Sequence, residues 1–497
     1  MPQASPFFPE FRLRTASLTL SAVILTGCMS LAPAPDTPPL PVPNVWPDYL
    51  VSAASGANAG ELAWQAYFTD PLLQRLIETA LENNRDLRLA ALRVNEASAA
   101  FRIQRSDRFP AVGLGVQGGR GRVPGDLNVT GRSQVNSEYR AEVGLSSWEL
   151  DLWGRVRNLE AAALQTWLAS DAARQAVHLA LIGQVADGYL GLREMDERVT
   201  IARQTVATRE ESYRIFRRRV EVGSTSKLDL TQVQTLLNQA QTLLTQLEQA
   251  RATQRHALAL LVGADPGPLP ARAPFDETTV LADLQAGLPS ELLISRPDII
   301  SAEHQLRASD ANIGAARAAF FPRIALTGSF GTASADLDGL FDSGSRAWTF
   351  APTVSLPIFD GGRRRANLEL NEVRRNIAVS GYEKTVQTAF REVADALSAR
   401  QWLTKQLAIQ QINLDTQSER ARLAQLRYDN GSAAYLEVLD AQRELLGAEQ
   451  QLIQARRALL SSQVALYAAL GGGSQVTSSS APSAVSTPTP TSSESTR

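Results

Sequence analysis

The 497-residue chain carries 49 Lys and Arg against 51 Asp and Glu, a formal net charge of −2. No basic excess points to nucleic acid. With 3 histidines on separate predicted helices and a single cysteine, no zinc set can be assembled from neighbouring residues.

Residues 1–27 read as a signal peptide: Arg12 and Arg14, an apolar run from Leu18 to Leu25, then Leu25-Thr26-Gly27-Cys28. The run is too short to cross a bilayer, which needs about 20 apolar residues. Small residues before a cysteine at the end of such a run resemble the lipobox of bacterial lipoproteins. That resemblance implies cleavage by signal peptidase II and a covalent lipid on Cys28, the only attached group expected. Met29 stands where inner-membrane lipoproteins tend to carry Asp, so outer-membrane sorting is expected. Residues 28–60 form a lipid-anchored tether whose stretch from Leu31 to Pro47 is Pro-rich and extended. Such a tether could carry the fold some distance from its lipid.

Residues 61–263 form a first half. Ala63 to Asp107 is predicted as one helix, opened by Asp70 as cap and Pro71 at the first helical position. After Phe109-Pro110 the pattern changes to period two. Val112, Leu114 and Val116 alternate with Gly113, Gly115 and Gln117, and Tyr139, Ala141, Val143 and Leu145 alternate with Arg140, Glu142 and Gly144. Within this stretch, Gly113 to Gly118 matches a dinucleotide fingerprint on paper. No helix follows it, so small residues on a strand face explain it better. A very long helix from roughly Arg157 to Val220 comes next. Residues 264–289, broken by Pro266, Pro268, Pro270 and Pro274, form a connector.

Residues 290–470 repeat the theme. Ile324, Leu326 and Phe330 alternate with Ala325, Thr327 and Ser329, and Trp348, Phe350 and Val354 with Thr349, Thr353 and Ser355; a long helix from about Arg364 to Asp429 follows. The stretch from Arg420 to Leu470 slides back 208 positions without a gap onto Ser212 to Val262, and Asp298 to Pro322 matches Asp86 to Pro110 at an offset of 212. Inside the copies Leu445, Leu452, Leu459 and Leu466, and Leu230, Leu237, Leu244 and Leu258, keep a seven-residue beat broken only at Arg251. That beat belongs to helices that wind round one another. Gly223-Ser224 and Gly431-Ser432 mark the turns between helices, with each Gly as a left-handed cap and each Ser as N-cap of the next helix. Residues 471–497 hold almost nothing apolar and are expected to be disordered.

Strands with one greasy and one small or polar face suit a membrane barrel. Four of them cannot close a ring, since closed barrels start at about eight strands. Three chains would supply twelve.

These residues resemble the TolC-type outer-membrane efflux family, in its lipoprotein branch of OprM-like and NodT-like members. The likeness spans Leu62 to Leu470. It is carried by Leu288 to Asp298 (LPSELLISRPD), Ala315 to Pro322 (AARAAFFP), Leu356 to Arg363 (LPIFDGGR) and Tyr435 to Arg443 (YLEVLDAQR). The resemblance implies a mainly α fold with a membrane β-barrel. Its elements would be a homotrimer, four strands per protomer in a shared 12-stranded barrel, and a coiled-coil periplasmic tunnel built from an internal two-fold repeat. It implies an outer-membrane channel in a tripartite efflux system, partnered by a periplasmic adaptor and an inner-membrane pump, and no enzyme. Carried over residue by residue, a periplasmic gate falls on Glu437 and Asp440, with Arg443 as their partner and Tyr428 as a tip tyrosine. The arginine that accompanies that tyrosine in TolC falls on Ala433, so that lock is absent or made differently. Gly223, Ser224, Gly431 and Ser432 match the tips that meet the adaptor. The rival reading is a periplasmic coiled-coil lipoprotein scaffold without a pore, which has no use for amphipathic hairpins.

Overall fold

The computed structural model describes residues 30–34, 42–43, 57–267, 279–280, 284–285 and 291–474. The signal peptide, Cys28, most of the tether and connector, and the tail beyond 474 lie outside the described residues. In chain order the principal elements are α1 (Pro71–Asn83), α2 (Arg85–Ser106), β1 (Val112–Val123), β2 (Gln134–Glu149), α3 (Arg155–Glu221), α4 (Lys227–Val262), α5 (Pro297–Ala318), β3 (Arg323–Ser334), β4 (Arg346–Ser355), α6 (Arg363–Asp429) and α7 (Tyr435–Ala469). A two-residue parallel pair joins Ala57–Asn58 to Leu284–Gln285.

The repeat offsets reappear in the element starts. α2 and α5 begin 212 residues apart and are both 22 residues long. α3 and α6 begin 208 apart and are both 67 long. The helix expected over Ala63 to Asp107 is broken at Asn84, whose backbone is extended (φ −62°, ψ 130°). Its side chain accepts from the amide of Leu87 at 2.9 Å and donates to the carbonyl of Leu261 at 2.9 Å, so it ends one helix and caps the next. The start of α1 is as its sequence predicts: Asp70 accepts from Leu72 N at 2.8 Å, with Pro71 at the first position.

The chain separates into two compact units that cut across the sequence halves: residues 1–39, 93–171 and 301–383 in one, and 40–92, 172–300 and 384–497 in the other. The first unit holds a four-stranded antiparallel sheet in the order β1-β2-β3-β4. Register puts Leu114, Val143, Phe330 and Trp348 in one row across all four strands, and Gly113, Gly144, Ser329 and Thr349 in the next. In the apolar row Leu114 is 80 % exposed, Val143 49 %, Phe330 64 % and Trp348 73 %. Exposure of a whole row of large apolar side chains is the opposite of what a water-facing sheet does. The glycines of the supposed fingerprint, Gly113 to Gly118, all lie within β1. β1 and β2 run well beyond the alternating core read from sequence, because Gly118 to Arg122 still pair residue for residue with Tyr139 to Val135.

The second unit packs α4 and α7 against the adjoining stretches of α3 and α6. Heptad leucines point inward: Leu237 is 7 % exposed, Leu258 0 %, Leu452 6 % and Leu466 1 %. Arg251, which interrupts the beat, is exposed and pairs with Asp196 across from it. Near the other end of these helices Tyr67 and Tyr467 stack with centroids 4.3 Å apart. The hydroxyl of Tyr67 donates to Gln463 O and that of Tyr467 to Leu62 O, at 2.8 and 2.7 Å. Arg296, from the motif that carried the family likeness, reaches Asp298 at 2.6 Å, Glu392 at 2.8 Å and the carbonyl of Ala469 at 2.9 Å. It ties the start of α5 to α6 and to the end of α7.

Candidate functional site

The two tips of the second unit end their first helices alike but start their second helices differently. Gly223 (φ 75°) and Gly431 (φ 69°) take the left-handed conformation that ends α3 and α6. The serines that follow do not cap the next helices, as the sequence pattern suggested. Ser224 N and Oγ both donate to Arg219 O, and Ser432 N and Oγ both donate to Arg427 O, so each closes the helix before it. The carbonyls left bare by a helix end are nearer to these serines than the following helix start.

α4 finds its cap two residues later. Ser226 Oγ accepts from Asp229 N at 3.1 Å while the Asp229 carboxylate accepts from Ser226 N at 3.2 Å, a reciprocal box that Thr225 Oγ1 joins at 2.9 Å. Hydrogen bonds from Ser226 and Thr225 hold the Asp229 carboxyl below its ordinary range. α7 has no such cap: Ala434 occupies the position, without a side-chain bond. Glu437, the counterpart of Asp229, is free to reach outward, and it pairs with Arg427 at 2.5 Å.

Asp440 and Arg443 meet as expected, at 2.7 Å. Asp440 is also held by Arg420 of α6 at 2.5 Å, and Arg443 by Glu444 at 3.0 Å. The acids at this end therefore sit in a ladder of arginines from α6 and α7. Tyr428 is engaged differently. Its hydroxyl accepts from Arg219 of α3, whose guanidinium also lies 5.5 Å from the Phe216 ring centre and 5.8 Å from that of Tyr428. Tyr435 completes the cluster, 4.8 Å from Tyr428 and 4.5 Å from Phe216 between ring centres, its hydroxyl donating to Ser212 at 2.8 Å. Tyr428 is thus held by an arginine from the other repeat, and not by a residue at position 433.

Arg219, Arg420, Arg427 and Tyr435 were missed by sequence reasoning. The repeat held the signal for two of them, since Arg219 and Arg427 each stand four residues before a tip glycine, at the same offset of 208. No group of three or more His, Cys, Asp or Glu among the described residues could hold a metal.

The first unit's sheet exposes an apolar row and the second unit's paired helices end in glycine turns, both in keeping with the class that comparison with known proteins shows, an outer-membrane efflux protein. The chain belongs to the outer membrane efflux protein family, whose sequence profile matches residues 76–264 and 288–472. It is 45 % identical over 473 residues to the solvent efflux pump outer membrane protein SrpC of Pseudomonas putida, covering 93 % of this chain and 99 % of that one. It is 42 % identical to the outer membrane protein OprJ of Pseudomonas aeruginosa, over 93 % of this chain and 97 % of that one. Among solved structures, the open state of the MtrE outer membrane channel of Neisseria gonorrhoeae superposes with a TM-score of 0.81 at 38 % identity, covering 90 % of this chain and 98 % of that one. The protein is accordingly the outer-membrane component of an efflux system, reaching from that membrane into the periplasm.

Proposed function

We propose that three copies of this protein close into one conduit and that it serves as the passive exit duct of a tripartite pump, without a catalytic step of its own. The observation that carries this is the open sheet. Its two edges, β1 and β4, have no partner strand among the described residues, and its exposed apolar row would be costly in water. A sheet in hydrocarbon must close so that no backbone group is left bare. Three sheets of four strands make twelve, an even number within the range of known barrels. Lipid on Cys28 would tether each copy to the same membrane. Glu437, Asp440, Arg443 and Tyr428 would form the periplasmic gate, and the turns at Gly223-Ser224 and Gly431-Ser432 would meet a periplasmic adaptor bound to an inner-membrane pump. SrpC is named for solvent efflux; small apolar molecules are the first class to try here.

The test is complementation. A Gram-negative strain lacking its own efflux channel but keeping adaptor and pump should regain exclusion of an apolar dye when this chain is supplied. Correctly localised protein that leaves dye accumulation unchanged with its own adaptor and pump present would refute the duct.

A further inference from the structure

The tether was expected to give slack between lipid and fold, but the described residues nearest Cys28 are seated on the first unit. Ser30 Oγ donates to Asn158 Oδ1 at 2.8 Å and accepts from Ala32 N at 3.2 Å. Arg317 Nη1 donates to the carbonyl of Leu31 at 3.3 Å. Asn158 is 5 % exposed, and the segment from Leu31 to Pro33 is partly buried. The seat exists because of a missing side chain. A Cβ at Gly314 would lie 2.8 Å from Ala32 N and 2.7 Å from Asn158 Nδ2, so only glycine leaves room for this backbone.

The seat stands at one end of the sheet. Asn158 lies in the first turn of α3, just after β2 ends, and Gly314 and Arg317 lie in the last turns of α5, just before β3 begins. Trp153 and Phe321 stack between them, 4.8 Å apart, and Trp153 Nε1 donates to Pro322 O at 2.8 Å. The same end carries Phe109, 63 % exposed, and Phe320, 40 % exposed.

We propose that Ser30–Ala32 is a clasp that fixes where the lipid anchor meets the sheet, with Asn158, Gly314 and Arg317 as its positioning residues and a lipid surface as the partner. The inference rests on lipidation of Cys28. One residue, Met29, stands between Cys28 and Ser30, and the two chain steps reach roughly 7 Å at most. The acyl chains would therefore enter the leaflet beside the strand ends.

The experiment uses the full chain in outer membranes, with cysteines placed at Ala32 and, separately, at Ala34, which is exposed. A polar maleimide should label Ala32→Cys about tenfold more slowly than Ala34→Cys, one decade in the opening equilibrium of the clasp. Ser30→Ala, which removes both Ser30 bonds and adds no atoms, and Gly314→Leu, which fills the seat, should each bring the two rates together. Equal rates in the otherwise unaltered protein, or a slow Ala32→Cys that neither change accelerates, would overturn the clasp. Mass spectrometry of the N-terminal peptide reads the lipid separately. Protection at Ala32→Cys with a bare Cys28 would keep the seat but remove its role as an anchor guide.

Discussion

Asp440 accepts from guanidinium groups on two helices, so removing it leaves Arg420 and Arg443 facing each other across α6 and α7. Exposed pairs of this kind contribute about 0.2–1 kcal/mol each, enough to bias a gate but not to weld it. Replacing Asp440 and Arg443 together with Ala should raise single-channel conductance in planar bilayers. Unchanged conductance would remove the gate assignment from these two residues. At the neighbouring tip, the Asp229 carboxyl is held below its ordinary value by its hydrogen bonds. A depressed folded-state value means that its contribution is present above the ordinary carboxylate range and is lost as pH falls through the lower one. Protease nicking between Val222 and Lys227 should therefore increase below about pH 4, and Asp229→Asn should show the increase already at neutral pH. Deeper in the same bundle, Arg209 is 3 % exposed and its Nη1 finds no hydrogen-bond partner among the described residues. Burial pushes its pKa down, against a smaller opposing pull from Tyr435. Arg209→Met should raise thermal stability, by about 1–4 kcal/mol if it behaves as buried charges commonly do; a lower melting temperature would show that the cation has a partner in the assembly.

At the scale of elements, the sheet can be tested face against face. Phe330 and Trp348 face each other on the exposed apolar row, while Ser329 and Thr349 stand opposite on the other face and share a hydrogen bond of 2.8 Å. Trp348→Arg should cost about 2–4 kcal/mol and lower the yield in outer membranes, as a charge on a lipid-facing strand does, whereas Thr349→Arg should be tolerated and alter conductance. Equal effects would mean that neither face meets lipid. These strands were legible in sequence because period two survives any context, and the long helices because a heptad leaves one apolar stripe. The break at Asn84 was not legible, since its reason is the carbonyl of Leu261, 177 residues away. The same limit applied at the tips. Glu437 and Asp440 were reached through the family resemblance of the Tyr435 to Arg443 motif, but Arg219 and Arg420 come from other helices, and a motif on α7 says nothing of them. Ser224 misled because a serine after a glycine suits either helix, and the choice depends on which backbone groups lie closer.

For the molecule as a whole, a four-stranded sheet whose edges have no partner strand among the described residues, and whose apolar row is exposed, is what the proposed closed barrel requires of each copy. Long helices that repeat at offsets of 208 and 212 give each copy two similar helical hairpins, so the proposed assembly of three copies would present six. The central claim is that copies pool their strands into a pore. It is tested most directly by measuring the mass of the purified full chain in detergent together with its ion conductance in a planar bilayer. The account predicts a particle of three chains that passes discrete, ohmic current steps; a single chain that leaves the bilayer silent would contradict it.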